Sequence, residues 1–284
     1  MRLRKSGWLV LVCLLMAAPA TAQQRPLVTE DPEVIGPGLI LLEGGFDYSH
    51  DILFPASGLQ GNLLRAPLLG LSFGLGSIVE LQIDGGLYNK LTITHRDVGP
   101  APYADQIDFT GDTTHSVEDI VIATKIRIAS ETSGRPALGI RFATRLPNAS
   151  NESGLGLDTT DFYAQFLLGK TVRSVRFVGN IGLGILGDPT RGDNQNDVLQ
   201  YGFSVARAIR EGVELVGELN GRANTRSGEP PVGTDSRALI RLGARLTKGT
   251  VRLDGAFLLG LTTRDPGYGF TAGATWVFKG FTVP

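Results

Sequence analysis

The chain has 284 residues, 42% of them hydrophobic and 19% charged, with a formal net charge of -1 and no long run of one sign. That balance excludes the basic footprint of a nucleic-acid-binding protein. The single cysteine, Cys13, lies near the N-terminus, so the rest of the chain has no thiol for disulfides or thiolate chemistry.

Arg2, Arg4 and Lys5 precede an apolar run from Trp8 to Ala18 that is too short to cross a bilayer, and Ala20-Thr21-Ala22 has the small-x-small form of a cleavage site. This three-part pattern predicts a signal peptide over residues 1–22, cleaved after Ala22. Residues 23–37 are then expected as a periplasmic N-terminal segment, and 38–284 as a β domain. Beyond residue 22 no apolar run reaches the ~20 residues that a membrane helix needs.

A period of two then recurs along the chain. In 117–129, Ile120, Ile122, Thr124, Ile126 and Ile128 share one face, while Asp119, Lys125 and Arg127 share the other. Twelve such segments are predicted: 38–48, 64–75, 78–92, 117–129, 137–147, 159–169, 175–187, 197–208, 212–223, 236–247, 250–262 and 268–278. Most run to ten or more residues. Soluble strands average about five or six, whereas strands crossing a membrane at a tilt need about nine to eleven. Long links are expected at 49–63, 93–116, 148–158, 188–196 and 224–235, and short ones at 76–77, 170–174, 209–211 and 248–249. Alternating long and short links are the pattern of outer-membrane barrels.

Gly182-x-Gly184-x-x-Gly187 has the spacing of a dinucleotide-binding loop. Such a loop must follow a strand and open a helix. Here the glycines lie within the predicted strand 175–187, and the following DPTRGDNQND has no helical period. They are read as strand glycines that admit twist and close packing.

The faces decide between a soluble barrel and a membrane barrel. Twelve long strands with oily faces inward would enclose a space too wide for their side chains to fill. With the oily faces on lipid, the charged faces line the lumen, and closure removes the unpaired edges that hydrocarbon does not tolerate. The expected fold is therefore all-β, a transmembrane antiparallel up-and-down β-barrel of about twelve strands, in the outer membrane of a double-membraned bacterium.

The stretches RPLVTEDPEVIGPGLILLEGGFDY, VEDIVIATKIRIASE, ATRLPNASNESGLGLDTTDFYAQFLLGK and ELVGELNGR resemble the bacterial outer-membrane β-barrel family labelled for the meta-pathway of phenol degradation. The resemblance implies a transporter-like barrel with a link to aromatic-compound metabolism, and it carries no catalytic residues. The chain departs from many outer-membrane barrels at its end, which runs six residues past Phe278 rather than closing on an aromatic residue.

Catalytic and metal chemistry are not signalled, and no cofactor is expected. His50, His95 and His115 all fall in predicted loops without short ligand spacing. Glu214 and Glu218 share a strand face but stand roughly 13 Å apart, beyond the usual distance of a glycosidase pair. The expected partners are outer-membrane lipid, the barrel-assembly machinery and a small solute of unassigned identity. Two functions fit: a channel for small aromatic or apolar solutes, and a structural or ligand-binding barrel with a closed, charge-paired lumen.

Facing residues in an antiparallel hairpin have positions of constant sum, so inward charges predict register. Glu214 with Arg245, Glu218 with Arg241 and Arg222 with Arg237 share one register. So do Arg145 with Asp161 and Arg141 with Gln165, and Asp84 with Lys125 and Lys90 with Asp119. Apart from the like-charged pair Arg222–Arg237, these residues form the expected lumen-lining polar network.

Overall fold

The computed structural model describes residues 25–283. The predicted signal peptide, 1–22, lies outside them. The strands are β1 (Leu39–Phe54), β2 (Leu59–Gly74), β3 (Val79–Gly86), β4 (Asn89–His95), β5 (Thr113–Ser116), β6 (Ile120–Ala129), β7 (Ala137–Leu146), β8 (Asp161–Val172), β9 (Val175–Gly187), β10 (Gln195–Arg210), β11 (Val213–Asn224), β12 (Arg237–Lys248), β13 (Val251–Gly260) and β14 (Tyr268–Lys279). Among the described residues the only helix is a single turn, Ala104–Gln106.

Every pairing is antiparallel, and β1 pairs with both β14 and β2, which closes the sheet. β2 carries β3 on its lower half and β4 on its upper half, so these two are one stave interrupted at Leu87-Tyr88. β5 likewise sits on β4, and β6 on β3. The wall is thus a closed twelve-stave barrel. Gly182, Gly184 and Gly187 lie within β9.

Alternation sorts the side chains. Phe166, Leu242, Ile181 and Phe142 stand on the outer face, 51–69% exposed. Glu80, Lys125 and Asp161 on the inner face are buried. Ile120, Ile122, Leu215 and Leu219 continue the exposed apolar band. The aromatic residues of β14 mark its two ends, with Tyr268 and Phe270 near the long loops and Trp276 and Phe278 near the short turns.

Two expectations need correction at the first hairpin. The link expected at 49–63 is strand: β1 and β2 continue to a turn at 55–58. The strand expected at 78–92 breaks at Leu87 and Tyr88, both exposed. Opposite them Pro67 lacks the N–H that would bond into the ladder. Across this break the inward set changes from Glu80 and Gln82 to Asn89, Leu91 and Ile93, because a one-residue slip in alternation sends every later side chain to the other face. Above it Leu59, Leu63, Leu91 and Ile93 make a small core, with Ile107, Phe109 and Leu155 from the long loops packed against it. The long-loop end is therefore roofed by its own apolar cluster.

Candidate functional site

The barrel interior holds a segment of the chain itself. Residues 25–37, within the segment 23–37 expected as a periplasmic N-terminal segment, run across the inside of the barrel without joining the sheet. The reason is hydrogen-bond supply. An extended segment must pair its amides, and the inner wall provides the acceptors. The Val28 and Thr29 amides donate to Glu218 at 2.9 and 2.5 Å. The Glu30 amide donates to Asn180 Oδ1 at 2.6 Å, and Asn180 Nδ2 returns a bond to the Glu30 carbonyl at 2.8 Å. The Ile35 amide donates to Glu80 Oε2 at 2.8 Å. Pro26 and Pro32 have no amide hydrogen to satisfy.

Side chains complete the attachment. Arg25 donates to Thr271 Oγ1 and the Ala272 carbonyl at 3.1 and 2.9 Å, and lies 3.5 Å from Asp254. Asp31 meets Arg176 at 2.7 Å, and Glu33 meets Arg127 at 2.6 Å. Glycines on the inner face leave the space this needs. A Cβ at Gly273 would come within 2.6 Å of Arg25 Nε, and one at Gly202 within 2.9 Å of Thr29 Oγ1. Part of the chain's abundance of glycine therefore accommodates this segment, the strap of residues 25–37.

The centre of this arrangement is Lys125, which is fully buried. Its ammonium lies 3.2 Å from Glu80 and 3.4 Å from Glu30. Arg141 Nε lies 2.9 Å from Glu30 Oε1 and donates to Gln82 Oε1 at 2.8 Å. Four charges, two of each sign, with further hydrogen bonds are what allow ions to be held away from water.

The residues named from sequence fall into three groups. Glu218 faces Arg241 and Glu214 faces Arg245, in the expected register. Arg241 donates to Glu218 at 2.8 Å, while Arg245 reaches Glu214 only at 3.9 Å and donates from Nε to the Arg25 carbonyl at 2.8 Å. Arg145 faces Asp161, and Arg141 faces Gln165. Arg145 Nε donates to Asp161 at 2.9 Å and its Nη1 to Asp119 at 2.8 Å, while Gln165 turns away from Arg141 and reaches over Gly182 to Gln200 at 2.8 Å.

The third expected register is wrong. Lys125 faces Glu80, and Asp84 faces Val121. A shift by an even number of residues keeps every side chain on its own face, so hydrophobic alternation cannot detect it. Lys90 faces His115 on β5 and points outward, exposed, while Asp119 bonds Arg145 and the amides of Asn148 and Ala149. Sequence reasoning missed Arg25, Glu30, Asp31 and Glu33 as interior residues. Their signal was an aperiodic acidic run between prolines, placed before a barrel with an arginine-rich inner face.

Among the described residues the wall encloses cavities that bear on passage. One of about 490 Å³ lies above the strap, with Arg25, Glu30, Asp47, Asp84, Arg141 and Arg241 in its lining. A second, of about 310 Å³, lies under the loops at the long-loop end. Arg145 and Tyr163 line both. Tyr163 donates to Asp161 at 2.9 Å, so the arginine, the tyrosine and two aspartates form one partition between the cavities.

The histidines are dispersed. His50 stacks on Tyr268 at 4.6 Å, His115 lies against Tyr88 at 5.6 Å, and His95 contacts Thr94. Among the described residues no group of three His, Cys, Asp or Glu is placed to hold a metal ion.

A closed wall with an apolar exterior and a charged, partly hollow interior is the architecture of outer-membrane β-barrels. Comparison with solved structures finds this architecture in an outer membrane channel from Pseudomonas putida F1, with a TM-score of 0.62 at 14% identity over 87% of this chain and 98% of that one. The NanC porin matches with a TM-score of 0.51 at 9% identity over 83% of this chain and 98% of that one. No family model matches the chain. No curated protein matches it by sequence.

Proposed function

We propose that this chain is a channel of the bacterial outer membrane, passing small solutes through a lumen that its own N-terminal segment narrows. The observation that carries this reading is a pair of cavities that share Arg145 and Tyr163, about 310 Å³ and about 490 Å³, inside a closed wall with an apolar exterior. A soluble protein gains nothing from so extended an apolar surface. In lipid that surface is solvated by acyl chains, and the aromatic residues at both ends of β14 take the two interfaces. Outer-membrane lipid is then one partner, and the barrel-assembly machinery that inserts the chain another. The likeness to an outer membrane channel of Pseudomonas putida F1 supports the reading at the level of the fold. The sequence resemblance adds aromatic or apolar compounds as the solute class.

A second reading is favoured by the strap itself. Its amides and carboxylates are engaged by the wall, which suits a closed structural or ligand-binding barrel. Planar-bilayer conductance of the refolded protein separates the two, paired with liposome swelling over solutes of graded polarity. Discrete conductance steps and swelling by small solutes support the channel. A silent bilayer with correctly folded protein sinks it and leaves the closed barrel.

A further inference from the structure

Arg222 on β11 and Arg237 on β12 face each other directly on the inner side at the long-loop end. Facing side chains on an antiparallel pair start about 4.5–5.5 Å apart at Cβ, so two guanidinium ions there repel each other. Elsewhere in the interior Arg25, Arg65, Lys125, Arg141, Arg145 and Arg241 each meet a carboxylate. Here neither arginine forms an ion pair among the described residues. Arg222 is held only by neutral groups, donating from Nε to the Asp235 carbonyl at 2.8 Å and from Nη2 to the Gly233 carbonyl at 2.5 Å. Arg237 Nε is buried and has no hydrogen-bond acceptor.

The nearby carboxylate oxygens are bonded elsewhere, except Asp265 Oδ1, which is buried and accepts no hydrogen bond. Asp235 lies 3.3 Å from Arg264. Asp265 Oδ2 accepts from the Ala238 and Thr262 amides and from the Thr262 hydroxyl. Asp161 and Asp119 are bound by Arg145.

Both arginines line the cavity of about 310 Å³, and its other side is apolar, with Leu53, Phe54, Leu155 and Leu157. That volume lies at the small end of ligand sites, which are mostly apolar with a few placed polar groups. From this juxtaposition we propose that the vestibule is a binding site for a small organic anion with a compact apolar body, an aromatic monocarboxylate being the fitting class. The carboxylate sits between Arg222 and Arg237, relieving their repulsion and supplying the acceptor that Arg237 Nε lacks. The ring lies against the leucines and Phe54. The site lies on the long-loop side of the Arg145–Tyr163 partition.

This inference rests on the channel reading only for its biological sense, because binding requires no conduction. The test is calorimetric titration of the refolded full chain in detergent with three probes: benzoate, its neutral analogue benzamide, and acetate. Benzoate should bind at least about tenfold more tightly than either of the others, a difference of about 1.4 kcal/mol. Arg222→Gln with Arg237→Gln should abolish that preference while the protein keeps its folded, heat-modifiable mobility on gels. If the double variant does not fold, Leu157→Ser is the alternative, and it should weaken benzoate while leaving acetate unchanged. Equal binding of benzoate and benzamide overturns the proposal, as does absence of benzoate binding, or retention of the preference in the folded variant. A barrel that binds benzoate but never conducts refutes the channel and leaves this site intact. One that conducts but ignores benzoate does the reverse.

Discussion

Lys125 and Glu30 are 95 residues apart in sequence and 3.4 Å apart in space, joined across the inside of the barrel. Glu30 belongs to the strap and Lys125 to the wall, so this contact ties the two together. Glu80 completes the site from the neighbouring stave at 3.2 Å. Neither carboxylate has another ammonium to turn to, and of the two Arg141 reaches only Glu30.

Replacing Lys125 by Met should therefore strand buried Glu80 and leave Glu30 with Arg141 alone. The expected loss is about 3–5 kcal/mol, the usual cost of removing one partner from a buried ionic site. Lys90, which sequence alternation also assigns to the interior, points outward and is exposed. Lys90→Gln should stay within about 0.5 kcal/mol of the parent, as surface changes do. Urea unfolding in lipid vesicles, followed by tryptophan fluorescence, measures both. Equal effects of the two substitutions would refute the assignment of faces on either side of the Leu87-Tyr88 break.

The strap makes a second expectation. Its carboxylates meet Lys125, Arg141, Arg127 and Arg176. The combined change Glu30→Gln, Asp31→Asn and Glu33→Gln weakens all of these contacts without changing the size of the segment. Single-channel conductance should rise, and current noise with it, as the segment leaves the wall. Removing residues 23–36 should give a larger and steadier increase. Unchanged conductance in both proteins would mean that the strap does not obstruct the path.

How much of this was legible in the sequence depends on which physical signal each feature left. The wall was legible because alternation at period two is local: β6 and β7 show it within ten residues each. The register of β11 on β12 was legible because Glu214 and Glu218 meet Arg245 and Arg241 in one alignment. The register of β3 on β6 was not, since Lys125 has acceptable acids at both Glu80 and Asp84 and both lie on the same face. The break at Leu87-Tyr88 needed knowledge of Pro67 on the partner strand, which is tertiary information. The strap left no period at all. Its place is set by Glu218, Asn180 and Glu80, whose second role, accepting from or bonding its backbone, does not show in their spacing.

The outer face gives a third expectation. Phe142 is 51% exposed on β7 within the apolar band, with Ile122 nearby and Ala164 facing it across the strand pair. Phe142→Arg should cost roughly 2–4 kcal/mol if the site lies at the bilayer midplane, and less toward an interface. Folding titrations in vesicles of different chain length measure the cost and its dependence on depth. A neutral effect in every lipid would remove Phe142 from the hydrocarbon zone.

The last expectation concerns the partition between the two cavities. Arg145 spans it, bonding Asp161 on β8 from Nε and Asp119 from Nη1, while Tyr163 braces Asp161 from the same strand. Arg145→Ala removes the side chain that both cavities share and frees two carboxylates into the gap. Two consequences should follow together. Conductance should rise because the obstruction is gone. Selectivity should move toward cations, because the partition changes from one cation between two anions to two anions alone. Arg145→Lys keeps the charge but not the fork that reaches both aspartates, so it should raise conductance with a smaller change in selectivity. Reversal potentials under a salt gradient, measured beside conductance, read both quantities. If Arg145→Ala alters neither, solute does not pass between Arg145 and Tyr163, and the two cavities are separate chambers.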